Sequence, residues 1–102
     1  MIAQFTLLPI GTKTDSLSKL LVKAMKIVAQ SGLDYKAGPM GTSIEGEWNE
    51  VMDLIHQCRN AVLKECPRVQ IVIQIDERPG AGQRLSRKVT SLENKMRMKL
   101  KK

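Results

Sequence analysis

The stretch that decides the fold is Val-Gln-Ile-Val-Ile-Gln-Ile-Asp, at residues 69–76. Branched apolar residues hold every odd position, and mostly polar residues hold the even ones. Because side chains along a strand point alternately to the two faces of a sheet, this alternation predicts a strand with one buried face. Residues 2–10 repeat the alternation, with Phe5 and Leu7 on the apolar side. The first and last predicted strands therefore each have one apolar face and one mostly polar face.

Two helices are predicted between these strands. Thr14 or Asp15 can cap the first helix, and Gly32 lies where a helix end favours glycine. The second helix is predicted from about Trp48 to Glu65, before the helix-breaking Pro67. The residues predicted to be buried are Leu17, Leu20, Leu21, Ala24, Met25 and Val28 on the first helix and Trp48, Val51, Met52, Ile55, Cys58 and Val62 on the second.

A hairpin is predicted between the helices, with strands at 34–38 and 42–47 around the turn signature Pro39-Met40-Gly41. The resulting order, β-α-β-β-α-β, predicts an α+β protein of ferredoxin-like topology, βαββαβ. Right-handed crossovers place both helices on one face of a four-stranded antiparallel sheet, and we expect the first and last strands side by side at its centre. The length of 102 residues indicates a single domain, 1–102.

Composition indicates a small protein with an aliphatic core, because the chain is 42% hydrophobic but only 3% aromatic. No apolar run reaches the roughly 18 residues that cross a bilayer, so no membrane partner is expected. Cys58 and Cys66 lie about 12 Å apart along one predicted helix, which is too far for a disulfide. Free thiols indicate a reducing compartment, and we expect a cytoplasmic protein.

The positive charge is concentrated at the C-terminal end. Residues 1–82 carry nine basic and nine acidic residues, whereas residues 83–102 carry eight basic residues against Glu93 alone. The apolar residues of this segment recur at helical spacing, at Leu85, Val89, Leu92 and Met96. We therefore predict an extra, basic C-terminal helix over 83–102. Weak nucleic-acid binding through this tail is an alternative function, disfavoured because the segment lacks aromatic residues for base stacking.

The second face of the predicted sheet lacks the charges that a solvated face usually carries. Its residues on the first and last strands are Gln4, Thr6, Leu8, Gln70, Val72 and Gln74. Such a surface can be desolvated without stranding a charge, and charge depletion is typical of the core of an interface. We therefore predict that this face binds a second copy of the chain. A solvated face of neutral polar residues is the alternative.

The stretch from Gly38 to Trp48 is the strongest candidate for ligand chemistry. It combines glycines, the hydroxyls of Thr42 and Ser43, two carboxylates and the only tryptophan of the chain. Strand alternation predicts Glu45 and Glu47 on one face with Ser43, and Thr42 on the other. Carboxylates and hydroxyls can bind a polar or cationic heterocycle, although a tight hairpin followed by an acidic helix start explains the same residues.

The sequence gives little support to catalysis. Two glutamates two positions apart are weak evidence for acid–base chemistry, and the chain has no GxSxG, P-loop, GxGxxG or HExxH pattern. The only histidine, His56, is expected to be a half-buried structural residue, and its position relative to Cys58 on a helix does not suit a metal site. We expect a non-enzymatic protein with no catalytic residue, metal or cofactor.

Three segments, taken together and in order, resemble a known family. They are Pro9-Ile10-Gly11, residues 39–51 with the core Gly-Thr-Ser-Ile-Glu-Gly-Glu-Trp, and Ile75-Asp76-Glu77-Arg78. The chain is similar to the small thiamine-binding-like proteins of the MTH1187/YkoF type, the UPF0045-type family. The resemblance implies a ferredoxin-like fold, dimers joined through their sheets, often dimers of dimers, and binding of thiamine or its hydroxymethylpyrimidine moiety near subunit boundaries. It implies no enzyme activity.

The resemblance also assigns candidate ligand contacts. It supports Thr42 and Glu45, with Glu47 as a further candidate, and Ser16 joins them because amide groups at a helix start attract polar ligand atoms. A carboxylate and a hydroxyl suit an aminopyrimidine edge, either glutamate could offset a thiazolium charge, and Leu or Met is expected to supply apolar contact. The implied function is sequestration or delivery of the vitamin. A regulatory or scaffolding oligomer without a bound vitamin is the alternative.

Overall fold

Six elements follow one another in the order that the sequence predicts. They are β1 (Ile2–Ile10), α1 (Thr14–Gln30), β2 (Asp34–Gly38), β3 (Gly41–Glu45), α2 (Trp48–Leu63) and β4 (Arg68–Asp76). The structure, a computed structural model, describes residues 1–12, 14–79 and 96, without the side chains of residues 14–16. The C-terminal helix predicted over 83–102 lies outside the described residues apart from the single position 96.

The four strands form one sheet in the order β2-β3-β1-β4, and every neighbouring pair is antiparallel. This is the ferredoxin-like α+β arrangement, so the predicted fold class is confirmed. β1 and β4 do lie side by side, paired from Ile2–Asp76 to Ile10–Arg68. The expectation that both are central is wrong: β4 is an edge strand, because the β2–β3 hairpin pairs with the other side of β1.

The core lies between the helices and one face of the sheet. Ala3, Phe5 and Ile44 point into it from the strands, where they meet Val28 of α1 and Val51 of α2. The apolar residues of α2 that the structure buries are Val51, Leu54, Ile55, Cys58 and Val62. Four members of the predicted stripe are therefore confirmed, whereas Met52 is only partly buried and Trp48, the first residue of α2, is 50% exposed. The sequence prediction did not include Leu54, which is buried.

The other face of the sheet is open in the single chain. Leu8 and Val72 expose 50% and 59% of their surface, and Gln4, Gln70 and Gln74 are also exposed, while Thr6 is intermediate. On the helix side, Ile73 of the edge strand β4 is only partly covered, at 36% exposure. The alternation predicted for β1 and β4 thus holds, and the proposed role of the open face as an interface stays a prediction.

Details of α2 differ from the sequence prediction. The helix ends at Leu63, two residues before the expected end, and Lys64 and Glu65 form a turn whose amides donate to the carbonyl oxygens of Asn60 and Val62. The side chain of His56 is exposed rather than half-buried.

Across the stretch of chain that the structure describes, we find no helix with the length and hydrophobicity needed to span a lipid bilayer.

Candidate functional site

A cavity of about 310 Å³ lies between α1, β1 and the β2–β3 turn, and we call it the first cavity. Its volume is at the lower end of the range typical of small-molecule sites, roughly 300–1,000 Å³. Two threonines interrupt an otherwise apolar wall. The lining residues are Phe5, Thr6, Leu7, Leu21, Ala24, Met25, Val28, Gly38, Pro39, Met40, Gly41 and Thr42.

The first cavity exists because β3 is much shorter than β1. The pairing of β1 with β3 runs from Ile2–Glu45 to Phe5–Thr42, whereas its pairing with β4 continues to Ile10. Beyond Thr6, which lies against Gly41 at the start of β3, the side of β1 away from β4 therefore has no β3 residue beside it. The turn at Pro39 and Met40 leaves the sheet at this point, and the space between the turn and α1 becomes the cavity.

Gly41 sets how closely the turn approaches β1. A Cβ atom at this position would lie 3.0 Å from Cγ2 of Thr6 and 3.1 Å from the carbonyl oxygen of Phe5. Both separations are shorter than ordinary van der Waals contact between a Cβ and a heavy atom, so only glycine fits without a shift. Gly41 also lines the first cavity, so this close approach of the turn to β1 forms part of the cavity wall.

Thr42, one of the predicted ligand contacts, contributes a hydroxyl to the wall of the first cavity. Its side chain is buried, at 9% exposure, and its hydroxyl donates to Sδ of Met25 at 3.4 Å. A thioether is a weak acceptor, so this hydrogen bond is readily exchanged for a stronger one. The Thr42 hydroxyl is therefore available to a ligand that brings a better partner.

Leu21 and Met25 were predicted as core residues, but they line the cavity instead. Leu21 is 39% exposed, whereas Leu20, Ala24 and Val28 carry the buried stripe of α1. The signal was present in the sequence: α1 has a wider apolar stripe than packing on one sheet needs. The expectation that Leu and Met supply apolar surface at the site agrees with this wall.

Glu45 lies on the opposite face of β3 from Thr42. Thr42 is paired with Phe5, which points into the core, whereas Glu45 shares the other face with Ser43. Glu45 is nevertheless buried, at 9% exposure. The structure therefore separates the two leading candidates, as strand alternation predicted, and the first cavity includes only Thr42.

Glu47 does not lie on the strand, so the expectation that it shares a face with Glu45 is wrong. β3 ends at Glu45, and Glu47 is the N-cap of α2. It forms a capping box with Glu50, whose carboxylate accepts the Glu47 backbone amide at 3.1 Å. This arrangement gives Glu47 a structural role at a helix start. Ser16 is in the first turn of α1, and its side chain lies outside the described residues.

Two further cavities adjoin the sheet. The second cavity, about 460 Å³, lies beside the first between α1 and β2, and the two share Leu21 and Met25. The third, about 540 Å³, is a polar groove on the open face. We call it the open-face groove, and its lining residues are Ile2, Gln4, Ser43, Gln74, Ile75, Asp76 and Glu77.

Cys58 lies behind the first cavity, in the layer between the two helices. Its thiol is completely buried and lies 3.6 Å from the carbonyl oxygen of Ala24, a residue of the cavity wall. Burial raises the pKa of the Cys58 thiol from 9.0 to about 11. Because the thiolate is the nucleophilic form, this cysteine is unreactive near neutral pH. Cys58 and Cys66 are both free.

Comparison with known proteins identifies the family. The model of a family described as thiamine-binding protein matches residues 3–93. The chain belongs to the thiamine-binding protein family. It is 33% identical to UPF0045 protein Mb1933 of Mycobacterium bovis over 94 residues, which cover 91% of each chain. The UPF0045-type resemblance inferred from the sequence is therefore confirmed.

Solved structures of family relatives share the fold. A domain of unknown function, DUF77, from Bacillus cereus superimposes with a TM-score of 0.80 at 28% identity, covering 92% of this chain and 90% of that chain. The hypothetical protein MJ1052 of Methanocaldococcus jannaschii gives a TM-score of 0.79 at 27% identity, covering 89% and 93%. The family match spans every described residue that lines the first cavity.

Proposed function

We propose that this protein binds thiamine, or its hydroxymethylpyrimidine moiety, in the first cavity and serves to sequester or deliver it. The observation that carries the proposal is the cavity itself: an apolar space of about 310 Å³ with the Thr42 hydroxyl in its wall, in a chain of the thiamine-binding family. Apolar walls with few polar groups are typical of small-molecule sites, where the polar groups fix the orientation of the ligand.

An aminopyrimidine suits this wall. Its flat faces are apolar and can contact the side chains of Leu21 and Met25, while its ring nitrogens accept hydrogen bonds and its amine donates them. The Thr42 hydroxyl can donate to a ring nitrogen, which is a better acceptor than the Met25 thioether that it now contacts at 3.4 Å. Binding therefore exchanges a weak hydrogen bond for a strong one.

The character of the wall favours binding over catalysis. The described residues that line the first cavity are apolar or bear hydroxyl groups, so none of them exchanges a proton near neutral pH. General acid–base catalysis needs a group with a pKa near the working pH within reach of the substrate. We therefore propose a binding protein rather than an enzyme.

The proposal is tested by calorimetry and thermal unfolding with thiamine and hydroxymethylpyrimidine. Ligand at a hundred times its dissociation constant should stabilise the native protein by about 2.7 kcal/mol. Thr42→Val keeps the shape of the side chain but removes the hydroxyl, and we expect about a tenfold loss of affinity. Ser43→Ala, one residue along β3 and on the opposite face, is the matched control and should bind as the wild type does.

The same titrations distinguish the two faces of β3. If Glu45→Gln and Ser43→Ala lose the ligand while Thr42→Val retains it, the site is on the open face of the sheet and the proposed location is wrong. If millimolar thiamine and hydroxymethylpyrimidine give no heat and no thermal shift, the binding function itself is wrong. A stable oligomer indifferent to both ligands would favour the scaffolding alternative.

We further propose that the protein self-associates through its open face, as a dimer or a dimer of dimers. Leu8 and Val72 expose half or more of their surface there, among neutral glutamines. Burial of Leu8 and Val72 against a second copy removes their apolar area from water. Native mass spectrometry of the purified protein reports the number of subunits and any retained small molecule in one measurement.

A further inference from the structure

The second cavity continues the first along α1. Leu21 and Met25 form the boundary between the two, with Val22 and Ala29 of α1 and Tyr35 of β2 beyond them. Tyr35 is 41% exposed and Val22 52%, so this part of the groove is open to solvent while the first cavity lies deeper. A ligand seated in the first cavity therefore meets the second cavity as it extends toward the surface.

One positively charged residue lies at the rim of the second cavity. Among the described residues that line either cavity, Lys26 is the one charged side chain, and none is a carboxylate. The glutamates expected to offset a cationic ligand are elsewhere: Glu45 is on the opposite face of β3, and Glu47 caps α2. The groove thus offers a positive charge at its rim and no negative charge within.

Resting on the function proposed above, we infer that the second cavity is a subsite for the arm of a heteroaromatic phosphate monoester, with Lys26 as the residue that selects the phosphate. The heterocycle lies in the first cavity, the apolar part of the arm passes Leu21 and Met25, and the phosphate meets the Lys26 ammonium at the rim. A lysine ammonium binds a phosphate group as a strong, charge-assisted donor. A cationic ligand meets repulsion at the same position.

Met25 is suited to form the boundary that the ligand crosses. Its side chain is unbranched, with three rotatable bonds, so it can adopt another rotamer at little cost. Its contact with the Thr42 hydroxyl is the weak hydrogen bond that the heterocycle replaces. Once that bond is exchanged, nothing polar holds Met25 between the two cavities, and the groove becomes continuous.

The test compares hydroxymethylpyrimidine, its phosphate monoester and thiamine by calorimetry on the full chain. The wild type should bind the monoester about three- to tenfold more tightly than the free alcohol, and 0.5 M salt should reduce that preference. Lys26→Gln should abolish the preference and raise the affinity for the thiamine cation. A lower affinity for the monoester together with a higher affinity for the thiamine cation indicates an effect of the Lys26 charge. A purely structural role of Lys26 would not change the two affinities in opposite directions.

Lys36→Gln is the matched control, because Lys36 carries the same charge on β2 but pairs with Ser43 and points to the opposite face. It should leave all three affinities unchanged. Ala29→Leu fills the second cavity with a residue that favours helix, and should weaken the monoester while leaving the free alcohol unaffected.

Failure of this inference is distinguishable from failure of the proposed function. If hydroxymethylpyrimidine binds but its monoester binds no more tightly, or if Lys26→Gln and Lys36→Gln behave alike, the phosphate subsite is wrong. The first cavity then remains the proposed site of the heterocycle. If the free alcohol does not bind at all, the proposed function is wrong. Inorganic phosphate alone, titrated to the same concentration, should compete with the monoester weakly in the wild type and not in Lys26→Gln.

Discussion

The two faces of the sheet differ both in the polarity of their residues and in how they are covered. On the helix side, Phe5 and Ile44 are buried by the chain's own helices, and the gap left beyond Thr42 forms the first cavity. On the open side, Gln4 of β1 and Val72 of β4 are exposed. A single chain therefore covers one face with its own helices and leaves the other exposed.

This difference separates the candidate ligand site from the candidate assembly surface, which the sequence-based prediction placed together. A pocket expected where subunits meet, with Thr42 and Glu45 as joint contacts, becomes a cavity enclosed within one chain and a separate polar groove on the open face. Because residues three apart on a strand point to opposite faces, one small ligand cannot be held by both side chains within one chain. We therefore expect that substitutions can alter ligand binding and assembly independently.

The largest effects are expected from substitutions of one buried residue, which changes stability, and of one exposed residue, which changes the oligomeric state. Ile44 is fully buried in the core, and Ile44→Ala should lower the free energy of unfolding by about 2–5 kcal/mol, at every protein concentration. Val72→Lys should hardly change the stability of the single chain but should convert the oligomer to monomers, because the interface would bury an unpaired charge. Urea unfolding and light scattering after size exclusion measure the two effects.

Val22→Lys is the control for this comparison, since Val22 is a valine of similar exposure on α1 and should leave assembly intact. A wild-type protein that stays monomeric at high concentration would contradict the role given to the open face. Retention of the oligomer in Val72→Lys would contradict it equally.

A smaller loss of stability is expected at the turn that closes the first cavity. Gly41→Ala places a methyl group 3.0 Å from Thr6 and 3.1 Å from the Phe5 carbonyl oxygen, and should destabilise the protein by about 1–3 kcal/mol. Because the turn must move to accept the methyl group, the affinity for hydroxymethylpyrimidine should fall as well. Thermal unfolding and calorimetry on one preparation give both values.

Gly32→Ala serves as the comparison for this variant. Gly32 also has a conformation that favours glycine, with φ of 82°, but a Cβ there has no heavy atom within 4 Å. We expect a cost of about 1 kcal/mol from backbone strain and no change in affinity. If Gly41→Ala binds the ligand as well as Gly32→Ala does, the turn does not shape the site.

The sequence predicts the fold well because its signals are local. Alternation at 69–76 and 2–10 identifies the face that each strand buries, and helical spacing identifies most of both apolar stripes. The site is predicted less well because it depends on where pairing stops. No local pattern indicates that β3 ends at Glu45 rather than Glu47, or that β1 continues beyond the Phe5–Thr42 pair with no β3 residue on that side. These are consequences of unequal strand lengths.

The smallest expected effect is a pH dependence of stability, which reports whether water is excluded from the core on the helix side of the sheet. Burial raises the pKa of the Cys58 thiol from 9.0 to about 11 in the folded protein. The unfolded chain therefore releases this proton at lower pH than the native protein does, so the stabilisation is complete below pH 9 and declines as the pH rises toward 11. At pH 10 the loss should be about 1.4 kcal/mol relative to neutral pH.

Urea unfolding of wild type and Cys58→Ala at pH 8 and pH 10 isolates this contribution, because every other titrating group is common to both proteins. Cys58→Ala should be less stable at pH 8, since it leaves a space in the core, but it should lose less stability between the two pH values. Equal losses in the two proteins would mean that the thiol is hydrated in the native state. Water would then reach the layer behind the Ala24 wall, and the helix side would not be the dry face on which the ligand site depends.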